Sequence, residues 1–256
     1  MKIKVFSFNL RVEAKVDGIN YFDNRKERIL EAIKEHSPDV IGFQEVNDRM
    51  RLWLRDSLED YILIGCGRNA DLSGEACVVA YKKDSFALLN YETFWLSATP
   101  DAAGTRYGED QSSCPRVATA LSLKHIEAKT PFLFINTHLD HKGSVARLLG
   151  SVQLLQYISE RKMPTILTGD FNATPDSREI RVITENEVCG ISDLTAMLGG
   201  TFHGFGKYTP DEMPKIDYIF SNMKSDPTES FAVIDESVEG LYISDHYIVC
   251  AFVEVE

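Results

Sequence analysis

Hydrophobic and polar positions alternate from the start of the chain, where Ile3, Val5 and Phe8 mark a strand. The period then lengthens: over 24–36, Ile29, Leu30 and Ile33 share one face among charged residues, the pattern of an amphipathic helix that Pro38 stops. The apolar run 39–44 reads as a short strand buried on both faces, and it delivers Glu45 at its C-terminal end. A second helix is expected over 48–58. From Tyr61 the pattern becomes a meander of β-rich runs at 61–64, 76–81, 86–96, 117–125 and 132–137. The polar stretch 98–115 is longer than an ordinary connection and is read as a functional loop. After His141, the residues Val145, Leu148, Leu149, Val152, Leu155 and Ile158 recur at helical spacing and are expected to form the buried face of a helix closed by Lys162 and Pro164. A strand at 165–168 ends in Gly169-Asp170, with later strands expected at 216–220, 231–234 and 246–255.

Helices interspersed with meanders call for mixed sheets, and two sheets packed face to face with helices outside satisfy the burial. The order strand, helix, strand, carboxylate occurs in both halves, a faint sign of duplication. No linker or composition shift divides the chain, so one domain spanning 1–256 is expected.

Charge narrows the partners. With 39 acidic against 27 basic residues and a net charge of −12, a broad electropositive surface for long duplex nucleic acid is disfavoured. Five scattered cysteines form neither a zinc knot nor a disulfide framework and read as reduced thiols. The chain opens directly on a strand and has no apolar stretch of membrane length, which points to the cytoplasm and away from a membrane partner. The oligomeric state leaves no mark on the sequence.

Polar residues recur at the ends of apolar strands: Asn9, Gln44-Glu45, Asn136-Thr137-His138, Asp170-Phe171-Asn172 and Ser244-Asp245-His246. Each alone reads as a loop cap; their recurrence points to a shared site. Together with Phe8-Asn9, Gly169-Asp170-Phe171-Asn172 and Ile216-Asp217-Tyr218-Ile219, they resemble the ordered motifs of the endonuclease/exonuclease/phosphatase superfamily, over nearly the whole chain. In the region from Trp95 to Arg116 the likeness is to bacterial members near the deadenylase/nocturnin branch. The resemblance implies an α/β fold, a four-layer α/β sandwich of two packed mixed β-sheets flanked by helices, with the active site at one sheet edge.

Phosphoester cleavage needs an activated water, neutralisation of phosphoryl charge and help for the leaving oxygen, and hard Mg²⁺ on carboxylates supplies the last two, with Mn²⁺ as a substitute. Glu45 is the first metal ligand expected. Asn9 suits weak coordination or a hydrogen bond to a metal-bound water, and Asp245 a direct or water-mediated metal contact. Asp170 and Asn172 project to one side if the backbone there stays extended. The resemblance implies that Asp170 orients or deprotonates the attacking water and Asn172 donates to a non-bridging oxygen. It also pairs Asp217 with His246, which leaves open whether His246 is the base or a stabiliser of phosphoryl charge. His138 resembles a second active-site histidine that donates to the phosphate. Glu75 matches the carboxylate that would keep it charged, and Arg116 an arginine that approaches the phosphate or buttresses that pair. His138 and His141 have zinc-like spacing but lack a third ligand. Trp95, together with Phe202, His203 and Phe205, is expected as substrate wall, with core packing the alternative for Trp95, and Arg147 and Lys207 as steering cations.

The function expected is Mg²⁺-dependent hydrolysis of a small phosphorylated molecule or short oligonucleotide. The alternatives are a DNA or RNA nuclease and a binding module that keeps the fold without the reaction.

Overall fold

The computed structural model describes residues 1–108, 110–235 and 237–256. Two six-stranded sheets form its centre. The first runs in the order β11 (Phe231–Val233), β12 (Ile248–Glu254), β1 (Lys2–Asn9), β2 (Val40–Val46), β4 (Ala76–Lys82) and β3 (Tyr61–Ile64). The second runs β5 (Phe86–Trp95), β6 (Val117–His125), β7 (Phe132–His138), β8 (Thr165–Asp170), β10 (Asp217–Ser221) and β9 (Ser192–Asp193).

Each sheet carries one parallel pair bridged by a helix. In the first, α1 (Phe22–His36) joins β1 to β2; in the second, α3 (Ser144–Arg161) joins β7 to β8. The other pairings in both sheets are antiparallel, so the sheets are mixed as expected. The parallel pairs are central, which explains their unbroken apolar runs: both faces are covered. In β1, Ile3 and Val5 face the second sheet, while Phe6 and Phe8 pack under α1 and α2 (Asp48–Ser57). Phe8 therefore lies on the opposite face from Ile3 and Val5.

Three apolar layers result. Val5, Val79, Phe134, Ile166, Ile219 and Val249 fill the space between the sheets. Phe6, Ile29, Phe43, Met50 and Leu54 bind α1 and α2 to the first sheet, and Leu154, Ile158, Phe171, Ile180 and Tyr218 bind α3 and α4 (Arg178–Thr184) to the second. This is the four-layer sandwich.

The buried face of α3 departs from the expected stripe. Val145, Leu149 and Val152 are exposed, whereas Ala146, Gly150, Ser151, Leu154, Leu155 and Ile158 face the sheet. The reason is close approach: a Cβ on Gly150 would stand 3.3 Å from both Leu139 and Leu96 side chains. The helix lies so near the sheet that small residues line the contact, and larger ones are displaced to solvent. The helix α4 and short strand β9 were not expected. The stretch 98–115 is irregular among its described residues, with Glu109 outside them. No helix among the described residues is long and apolar enough to cross a membrane.

Candidate active site

Strand register assembles the site before any side chain does. On the second sheet His138 is paired with Asp170, and Asp170 with Asp217, so these groups form a row across β7, β8 and β10. On the first sheet Asn9 is paired with Gln44 at the same end of β1 and β2. A buried polar link holds the two edges together. Gln44 Nε2 donates to Asn136 Oδ1 at 2.7 Å, and Asn136 Nδ2 donates to the Phe43 and Val78 carbonyls at 2.7 and 3.0 Å. Gly42 makes room for this link, since a Cβ there would lie 2.2 Å from Thr168 Oγ1.

Two backbone irregularities aim the carboxylates. The β2–β4 register shifts between Phe43 and Val46, and Glu45 within that bulge has φ +62°. A bulge turns a side chain out of the alternation, and here it brings Glu45 into the cleft. Asn172 has φ +49°, so the backbone after Asp170 is not extended as expected; instead Asn172 N donates to Asp170 Oδ1 at 2.9 Å. The two side chains converge through this Asx turn.

The hydrogen bonds fix several protonation states. Asn172 Nδ2 lies 3.1 Å from the Leu139 carbonyl and 2.9 Å from His138 Nε2. A carbonyl only accepts, so the amide nitrogen faces both groups and His138 Nε2 is an acceptor. His138 is therefore neutral here. Burial, with Arg116 and Arg68 nearby, lowers its pKa well below the ordinary value. This corrects the expected Glu75–His138 ion pair: Glu75 is paired with Arg68 at 2.6 Å.

His246 has the opposite environment. Burial opposes its charge, but Asp217, Asp245 and Asp170 override that and raise its pKa to about 10. Its Nδ1 donates to Asp217 Oδ2 at 2.9 Å, and Asp217 Oδ2 also accepts from Thr201 Oγ1 at 2.6 Å. Its Nε2 faces Asp170 Oδ2 at 3.8 Å. Burial and the charge of Asp217 raise Asp170 to about 7.

Asn9 Nδ2 donates to Glu45 Oε1 at 3.1 Å and Asp170 Oδ2 at 2.9 Å, while its oxygen accepts from Arg11 N at 2.9 Å. Asn9 thus presents nitrogen to the carboxylates rather than oxygen to a metal. Glu45, His138 and Asp170 have ligand atoms within 4.8 Å of one another, as do Asp170, Asp217 and His246. Asp245 borders the cleft but belongs to neither set; Arg11 Nε is 3.7 Å from its carboxylate. The donor set fits a hard divalent cation, because Glu45 and Asp170 offer carboxylate oxygens at an open cleft with room for water, and burial without a cation makes ionisation of Asp170 costly. Neither group of candidate metal ligands among the described residues includes His141, so His138 and His141 form no zinc site there.

The cleft encloses about 380 Å³ and is bordered by Arg11, Arg68, Arg116, His141 and Phe202 beside the acidic groups. A larger cavity of about 680 Å³, lined by surface groups of α1, α2 and β4, lies away from these residues. Arg116 is buried on the cleft wall, with Nη1 lacking a partner among the described residues. Of the expected substrate residues, Phe202 borders the cleft, whereas Trp95, His203, Phe205, Arg147 and Lys207 do not. Trp95 is buried against Cys77 and Val117 and donates its indole N–H to the Arg68 carbonyl at 2.7 Å, the core alternative. Arg147 is paired with Glu179 at 3.0 Å; Phe205 packs near Tyr242 and Lys207 over Tyr208.

Sequence reasoning missed Arg11, Arg68, Thr201 and Arg25. Arg25 is fully buried and donates to the Leu10, Arg11, Asn20 and Ile243 carbonyls at 2.7 to 2.8 Å. It ties the segment after Asn9 to the segment before Ser244. In the sequence it is one more charge on a helix.

Comparison with known proteins agrees with this fold. The model of the Endonuclease/Exonuclease/phosphatase family matches residues 6–246. An endonuclease/exonuclease/phosphatase from Bacteroides vulgatus is 32% identical, with a TM-score of 0.89 over 100% of both chains. A mannosyl-6-phosphatase from Bacteroides thetaiotaomicron is 26% identical, with a TM-score of 0.85 over 98% of this chain and 100% of that one. The human nocturnin catalytic domain, 21% identical, shares the fold with a TM-score of 0.73 over 100% of this chain and 94% of that one. By its family match, fold and convergent site, this chain belongs to the endonuclease/exonuclease/phosphatase family and is a phosphoester hydrolase.

Proposed function

We propose that this protein hydrolyses the phosphoester bond of a small phosphorylated molecule, a phosphorylated sugar foremost, with Mg²⁺ as its cofactor and Mn²⁺ as a substitute. The observation that carries the reading is the geometry around Asp170: its carboxylate lies 3.8 Å from Nε2 of His246, whose Nδ1 donates to Asp217 at 2.9 Å. The small substrate is supported by the 380 Å³ cleft, the net charge of −12 and the likeness to a mannosyl-6-phosphatase.

Glu45 and Asp170 would hold the cation, which supplies Lewis-acid polarisation of the phosphoryl oxygens when bound. Asp170 takes the proton of the attacking water as its oxygen bonds to phosphorus and the ester P–O bond breaks. His246 donates from Nε2 to a phosphoryl oxygen, and Arg116 on the cleft wall supplies positive charge beside the same group. The departing alcohol oxygen takes a proton from solvent. Asn9 and Asn172 position the carboxylates and His138.

The site draws on residues from Asn9 to His246, which supports one domain over 1–256 as the working unit. The five free cysteines support a reducing compartment, the cytoplasm. The test is turnover by purified protein with Mg²⁺ on a panel of sugar phosphates, nucleotides, bis-p-nitrophenyl phosphate, single-stranded oligonucleotides and plasmid. Sugar phosphates should be the fastest substrates; faster cleavage of nucleic acid would replace this reading with a nuclease.

A further inference from the structure

His141 is not used by the reaction just described, yet its ring is held on the cleft wall. The backbone beneath it is fixed by Asp140, which is buried and accepts from Gly143 N at 2.8 Å, Lys142 N at 3.0 Å, Ser112 N at 3.1 Å and the Ser112 hydroxyl. These bonds tie the turn after β7 to the segment leading into Arg116. Arg116 Nε is 3.4 Å from Asp140 Oδ2, so the guanidinium is anchored to the same carboxylate.

His141 Nδ1 lies 2.9 Å from Arg116 Nη2. A guanidinium carries donors only, so Nδ1 must be the acceptor and the ring proton must sit on Nε2. A charged imidazole would set donor against donor beside a fixed cation. His141 is thus a neutral ring with one defined tautomer. It borders the cleft, and its Nε2 has no protein partner among the described residues. It touches Arg116 through Nη2 and makes no bond to Asp170, Asn172, His138 or His246, so it lies beside the phosphate-handling groups with its Nε2 unclaimed by them.

We propose that His141 is a specificity-determining residue that donates a hydrogen bond from Nε2 to a hydroxyl oxygen on the alcohol portion of the substrate. A neutral donor suits an uncharged acceptor such as a sugar hydroxyl, whereas a phosphate dianion is served by the charged groups across the cleft. The inference rests on the phosphoester-hydrolase reading above and adds the chemistry of the departing group.

The experiment compares wild type, His141→Asn and His141→Gln on a hexose 6-phosphate and on p-nitrophenyl phosphate, which has no hydroxyl on its leaving group's ring. Asn retains an acceptor for Arg116 but is too short to reach the Nε2 position; Gln reaches it. The ratio of kcat/KM for the two substrates should fall about tenfold in His141→Asn, mainly through KM, and recover in part in His141→Gln. In ¹⁵N-histidine-labelled protein, two-bond N–H couplings should place the His141 proton on Nε2 at pH 7. An unchanged ratio, or a proton on Nδ1, overturns the inference while leaving an active wild type and the proposed function standing. A wild type inert on every phosphate ester removes both.

Discussion

Asp217 Oδ2 lies 2.9 Å from His246 Nδ1 and is held from the other side by Thr201 Oγ1 at 2.6 Å. The carboxylate fixes the tautomer and the charge of the imidazole together, and leaves Nε2 pointing toward Asp170. The acid–base chemistry of the cleft follows from this contact.

Replacing His246 with Ala should lower kcat by ~10³-fold or more with little loss of fold, and Asp217→Asn by ~10²-fold or more. Because the two act as one unit, the double variant should be within about threefold of His246→Ala alone. Additive losses in steady-state kinetics would show that they act separately.

The rate should be bell-shaped in pH. Asp170 must be ionised to take a proton, so kcat/KM rises as pH passes upward through about 7, while His246 must be protonated to donate, so it falls as pH passes about 10. A cation beside Asp170 favours the carboxylate, so the acid limb should move to lower pH as Mg²⁺ is raised. An acid limb unaffected by Asp170→Asn in the residual activity would assign it to another group.

EDTA should abolish turnover, and Mg²⁺ or Mn²⁺ should restore it. Glu45→Gln keeps the hydrogen-bonding shape but removes a charge, so it should raise the Mg²⁺ concentration for half-maximal rate about tenfold or more. Calorimetric titration of Mg²⁺ into wild type and variant checks the same point without turnover. Equal affinity in the two proteins would remove Glu45 from the cation site.

Arg25→Met should strand carbonyls of Leu10, Arg11, Asn20 and Ile243 in the interior and cost about 3 kcal/mol or more of stability in urea unfolding. Arg25→Lys should recover little, because an ammonium lacks the fork that reaches four carbonyls. A midpoint like that of wild type in either variant would mean the surrounding loops hold themselves.

The histidine, aspartate and asparagine positions of the site were legible because each lies at or beside one end of an apolar run, where a strand starts or stops and a polar group can meet solvent. His138, Asp170, Asp217 and His246 meet as the motifs implied. Their partners were less legible. Glu75 was assigned to His138 by analogy, but Arg68, on the hairpin that pairs Gly67 with Ala76, lies closer and takes the carboxylate. Trp95 was equally compatible with a wall or a core, and only the packing of Cys77 and Val117 around it decided. Arg11, Arg25 and Thr201 carry no periodic or motif signal, since their value depends on chain segments far away in sequence.

The sequence by itself determined the alternation and helical periods that make two mixed sheets with outer helices, and the residue types that make phosphoester chemistry available, because both are local properties of short segments. Tertiary structure alone decided which face of α3 is buried, which carboxylate meets which cation, and which imidazoles are charged. Those outcomes depend on distances of a few ångströms between segments that share no sequence neighbourhood, and on the loss of water when they meet.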